Sequence, residues 1–94
     1  MLPFKRFSHV SVIVADLARA RQFYGGLVGL SEIPRPAFEF PGVWYSLGDD
    51  FQLHIMVREG CPSRNEPFAV RYPHFALWVD AAADIRDRLA ADDS

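Results

Sequence analysis

Phe7-Ser8-His9-Val10-Ser11-Val12-Ile13-Val14 decides the fold, because its pattern returns 65 residues later as Tyr72-Pro73-His74-Phe75-Ala76-Leu77-Trp78-Val79. Set one above the other, aromatic matches aromatic, His matches His, small matches small and Val matches Val. The first run is β-branched and bounded by charge, the signature of a strand, and the second is a strand by the same criteria. Side chains alternate along a strand, so Val10, Val12 and Val14 share one face and His9, Ser11 and Ile13 the other. An Asp follows each run (Asp16 and Asp80), with the chemistry of a helix N-cap, and then comes a segment rich in Ala and Arg. After Asp16, Leu17, Ala20, Tyr24 and Leu27 fall on one helical stripe. Gly25 and Gly26 weaken that helix, and Gly29 stands where a C′ glycine ends it. After Asp80 a helix is expected over residues 81–91, with Ile85 and Leu89 as an i, i+4 apolar pair. Recurrence of one supersecondary unit is a strong statement about architecture.

Between the two runs, residues 31–35 read as a short strand cut off by Pro34 and Pro36, and residues 38–42 as a Pro/Gly-interrupted connection. Residues 42–47 and 51–57 form a hairpin around Gly48-Asp49-Asp50, which are turn formers. Residues 58–71, with Gly60, Pro62, Ser63, Asn65 and Pro67, read as a polar linker. The order is βαβββ, linker, βα. The chain is therefore α+β: a first βαβββ module at residues 1–57, a linker at 58–71, and the start of a second module at 72–94 whose last three strands are missing. It reads as C-terminally truncated.

Composition narrows the function classes. The chain has 94 residues, 50% of them hydrophobic and 23% charged, which is ordinary globular usage. A net charge of −2 provides no basic field for nucleic acid or an anionic membrane. No apolar run approaches the roughly 18 residues of a membrane span, and the N-terminus lacks a signal-peptide core. The single cysteine, Cys61, cannot form an internal disulfide, which fits a reducing cytoplasm. It also has no visible activating neighbour, so a catalytic thiol is not expected.

His9, His54 and His74 all fall in expected strands. His54 sits in Phe51-Gln52-Leu53-His54-Ile55-Met56, where alternation groups Gln52, His54 and Met56 opposite Phe51, Leu53 and Ile55. Each histidine points away from the β-branched, helix-covered face. A lone strand histidine is ordinarily a hydrogen-bonded interior residue. Three on matching faces of a mixed sheet curved into a cup would instead suit one divalent ion, with a position left open for substrate. Met56 and either Trp44 or Tyr45 would line the cup beside His54. A hairpin register summing to 99 selects Tyr45, one summing to 98 selects Trp44, and a one-residue slip exchanges them. Arg35, Arg58 and Arg71 are candidate partners for a substrate carboxylate or phosphate, Arg35 foremost.

The stretches from His9 through Asp16-Leu17, Phe23-Tyr24-Gly25-Gly26-Leu27-Val28-Gly29-Leu30, Leu47-Gly48-Asp49 and His74 through Val79-Asp80 resemble the vicinal oxygen chelate superfamily. That superfamily takes in glyoxalase I, fosfomycin- and bleomycin-resistance proteins and extradiol dioxygenases. The resemblance spans nearly the whole chain. It implies two βαβββ modules forming a cup around a divalent metal ion such as Zn, Ni, Mn or Fe. The first strand of each module would supply a ligand (His9 and His74), and the last strand of the first module a third (His54). Glyoxalase I relatives more often carry Glu or Gln at the position of His54. The Glu that the last strand of the second module usually provides has no counterpart before Ser94. Either the chain is truncated, a partner completes the site, or the site is inactive. The expected function is a glyoxalase-like, metal-dependent lyase or isomerase acting on a small oxygenated substrate. An extradiol-type dioxygenase and a non-enzymatic drug- or metabolite-binding protein are the alternatives. Open sheet edges and the resemblance together imply a homodimer, with exchanged modules as one form.

Overall fold

The computed structural model describes residues 2–60 and 74–91. Cys61, Arg71, most of the expected linker and the acidic tail lie outside those residues. The chain divides into two compact units, Met1–Cys61 and Pro62–Ser94.

The first unit is a four-stranded mixed sheet with one helical segment on it. β1 (His9–Val14) leads into α1 (Leu17–Arg21), whose turns continue with π winding over Gln22–Leu27. β2 (Glu32–Ile33), β3 (Gly42–Ser46) and β4 (Gln52–Val57) follow, which is the expected βαβββ order. The spatial order is β1-β4-β3-β2, with β1 parallel to β4 and the other pairs antiparallel. The sheet does not close on itself, and β1 and β2 are its edges.

Local chemistry accounts for most of the boundaries. Asp16 is extended (φ −135°), and its Oδ1 accepts from the Arg19 N–H at 3.1 Å, a satisfied N-cap. The π winding coincides with Gly25 and Gly26, which are poor helix formers. A Cβ on Gly25 would stand 3.2 Å from the Tyr45 hydroxyl, so glycine lets the helical segment lie close over that ring. Gly29, at φ +82°, turns the chain so that the Leu30 N–H returns to the Tyr24 carbonyl at 2.9 Å. β2 stops at Ile33 because Pro34 has no N–H for the ladder. In the hairpin turn, Gly48, Asp49 and Asp50 all have positive φ (90°, 50° and 64°).

The core lies between the sheet and the helical segment. Val43, Tyr45, Leu53 and Ile55 are fully buried, and Ala20 of α1 is buried against them. Tyr24, Leu17 and Leu27 complete the expected stripe as half-buried residues. Burying each large side chain stabilises the fold by about 1.5–3 kcal/mol.

The second unit contains α2 (Ala82–Ala91), with Asp84 in its first turn and Arg88 in its last, both favourable to the helix dipole. The expected strand at 72–79 is not there in its described part: residues 74–79 belong to no ladder. Strand propensity alone does not make a strand. Its N–H and C=O groups need a neighbouring strand, and among the described residues none pairs with this stretch.

Candidate functional site

The register fixes which side chains share a face. Trp44 pairs with His54 and Tyr45 with Leu53, so the hairpin register sums to 98. In the parallel pair, Ser11 lies beside His54, His9 beside Gln52 and Ile13 beside Met56. Ile33 lies beside Trp44. One face therefore carries His9, Ser11, Ile13, Gln52, His54, Met56, Trp44 and Ile33. The helix-covered face carries Val10, Leu53, Ile55, Val43 and Tyr45. The alternative in which Tyr45 joins His54 is corrected: Tyr45 is 2% exposed beneath the helical segment, near Tyr24 and Gly25. Burial raises its pKa, with the Glu32 carboxylate adding to the rise.

His54 is the centre of the open face. Trp44 lies flat on it, with centroids 3.7 Å apart and planes 2° apart. His9 stacks on it at 4.1 Å and 16°. His54 is thus 9% exposed although its strand face is not covered by a helix. Its Nε2 is 2.8 Å from the Gln52 Oε1. With that oxygen as acceptor, Nε2 carries the proton and Nδ1 keeps the lone pair. Burial, then the neighbouring His9, then the Arg35 charge lower the His54 pKa from its ordinary value, favouring the neutral imidazole. The exposed His9 has its Nδ1 3.0 Å from the Ser8 hydroxyl.

A second cluster continues the row. Phe38 is 6.1 Å from Trp44 and stacks on Phe40 at 5.2 Å. The Arg35 guanidinium lies over both phenyl rings, at 4.9 and 5.0 Å, and donates from Nη2 to the Phe40 carbonyl at 2.8 Å. It occupies the space over Gly42 on the His54 face: a Cβ there would be 3.1 Å from Arg35 Nε and would collide with the Ile55 carbonyl.

Of the residues singled out from sequence, the fold brings together His9, His54 and Trp44, with Met56 and Arg35 on the same face. His74 is exposed in the second unit, in the stretch without a strand. Sequence reasoning passed over Gln52, Phe38, Phe40 and Gly42. Gln52 and His54 were already on one face by alternation, and the i, i+2 spacing of Phe38 and Phe40 was the available signal for the second cluster.

The donor chemistry suits a divalent ion in part. Two imidazoles from neighbouring strands are appropriate ligands for Zn, Ni or Fe. As stacked, they do not converge on one point, because ring-nitrogen lone pairs lie in the ring planes and these planes are nearly parallel. Joint coordination needs the exposed His9 ring to swing out, a motion open to a surface side chain. Among the described residues no group of three His, Cys, Asp or Glu is placed to hold a metal. No helix among them is long and apolar enough to cross a membrane.

The first unit is thus an open βαβββ module with its helical segment on one face and an imidazole–aromatic row on the other. The Glyoxalase/Bleomycin resistance protein/Dioxygenase superfamily model matches residues 6–91, and the chain belongs to that superfamily. Its structure is similar to a crystal structure from Bacillus anthracis assigned to the glyoxalase family. The TM-score is 0.75 at 24% identity, over 96% of this chain and 71% of the other. No curated protein matches the chain.

Proposed function

We propose that the open face of the first unit is a glyoxalase-type, metal-assisted site for a small oxygenated molecule, with lyase or isomerase chemistry. The observation that supports this most is the meeting of His9 and His54, 45 positions apart in sequence, on the uncovered face of two paired strands. His9 and His54 would hold the ion. A bound divalent ion would act as a Lewis acid on two neighbouring substrate oxygens and stabilise the negative charge that develops there. Gln52 fixes the His54 tautomer and leaves Nδ1 as its donor atom. Trp44 holds the ring plane and shields it from water. Ile13 and Met56 form the apolar floor beyond it. No side chain is assigned as the catalytic base. Residues 1–57 act on this reading as one module and 72–94 as the opening of a second, in a cytoplasmic homodimer.

The test is metal titration of the purified chain with Zn, Ni, Mn and Fe(II), followed by calorimetry and elemental analysis. Stoichiometric binding that weakens at least tenfold in both His9→Ala and His54→Ala is expected. Binding indifferent to both substitutions overturns the reading. Oxygen uptake with catechols under Fe(II) would redirect the assignment to an extradiol-type dioxygenase. The aromatic wall of Trp44, Phe38 and Phe40 favours a second reading, a non-enzymatic metabolite-binding module. In that case ligand binding survives both histidine substitutions and is lost in Trp44→Ala.

A further inference from the structure

Arg35 carries a permanent positive charge, and among the described residues no carboxylate neutralises it. Among the described residues, neither the Arg6–Asp50 nor the Arg21–Glu32 ion pair involves Arg35. Its Nε is buried with no hydrogen-bond partner. The group is nonetheless held in place: two phenyl rings lie against it, the Phe40 carbonyl fixes Nη2, and Gly42 leaves the space it fills. Only one of its terminal N–H groups is engaged, by a neutral carbonyl. Its field reaches His54, on the same face. A guanidinium fixed by stacking loses little rotamer freedom when it binds, and its fork matches the two oxygens of a carboxylate or phosphate.

We infer that Arg35 is an anion-recognition arm, and that the molecule bound on this face carries a carboxylate or phosphate beside its vicinal oxygens. The inference rests on the small-molecule reading of the face and deepens it by naming the charge class of the ligand. Phe38 and Trp44 lie between Arg35 and His54. The anionic group would therefore sit at the Arg35 end of the row, with the uncharged oxygens toward the imidazoles.

The test uses three small probes: glycerate and glycerol 3-phosphate, each with a vicinal diol beside its anionic group, and neutral ethylene glycol. Each is titrated into ¹⁵N-labelled full chain, following the Trp44 indole, the His54 amide and the Arg35 Nε–H. Both anions should bind at least tenfold more tightly than the neutral diol. Arg35→Met keeps the apolar stem against Phe38 and Phe40 and should weaken the anions by about 10- to 100-fold, the range of charge-assisted hydrogen bonds, while leaving the diol unchanged. Should Arg35→Met fail to fold, Arg35→Lys keeps the charge, loses the fork, and should weaken the anions by about tenfold. Equal affinity for all three probes, or anion binding unchanged in whichever variant folds, overturns the inference and leaves the small-molecule face standing. If no probe moves Trp44 or His54, both readings fall together.

Discussion

Gly42→Ala tests the packing beneath Arg35. The added Cβ would meet the Ile55 carbonyl oxygen, part of the backbone of the central strand β4, and would lie 3.1 Å from both Nε and Nη2 of Arg35. The Arg35 atoms belong to a side chain that can turn. The carbonyl cannot move without shifting β4, which is bonded on both sides. Forcing a methyl group into such a filled site costs about 1–3 kcal/mol. Alanine is otherwise preferred to glycine within a strand by roughly 0.5–1 kcal/mol. The net destabilisation is then up to about 2.5 kcal/mol, with a central value of about 1 kcal/mol. For a chain this small, with a urea slope near the lower end of about 1–3 kcal/mol per M, the midpoint should fall by about 1 M. Trp44 fluorescence in a Trp78→Phe background reports the first unit alone, since Trp78 is fully exposed in the second. A midpoint equal to or above that of the parent would refute the reasoning. The double variant Arg35→Met/Gly42→Ala should keep most of the loss. Full recovery would mean that the guanidinium, and not the backbone, was the obstacle.

Three further outcomes are expected. The folded chain holds His54 below its ordinary pKa of 6.5, so the unfolded chain binds the extra proton; stability should decline as pH falls below about 6.5, and an NMR titration midpoint for His54 at or above 6.5 would contradict this. Tyr45→Ala should cost about 3–5 kcal/mol in urea melts, because it empties a fully buried site, whereas Trp44→Ala should cost far less and raise the His54 pKa by exposing the ring; similar losses from both would argue against the register. Asp49→Gly should raise stability by about 0.5–1 kcal/mol, since Asp49 holds φ 50° and glycine takes that conformation without strain; a lower melting temperature would count against it.

The alternation of Val10-Ser11-Val12-Ile13-Val14 and of Gln52 through Met56, the Asp16 cap and the Gly48-Asp49-Asp50 turn determined the βαβββ order and put His9 and His54 on uncovered strand faces. These are local properties, set by side-chain period and backbone chemistry within a few residues. The choice between Trp44 and Tyr45 was not local. Both residues suit a strand, and only the pairing of β3 with β4 decided which one stacks on His54. Within the strand expected at 72–79, the described residues 74–79 join no ladder for a related reason: their composition is that of a strand, but a ladder needs a second segment in register, and none among the described residues pairs with them. The seat of Arg35 was legible only in part: the i, i+2 spacing of Phe38 and Phe40 was there to read, but their convergence with Gly42 on the guanidinium belongs to the folded chain. Sequence alone determined the order of the elements in the first unit and which face each side chain takes within its own strand. Tertiary structure decided which of those side chains touch, because contact between strands depends on register, and register is a property of the pair.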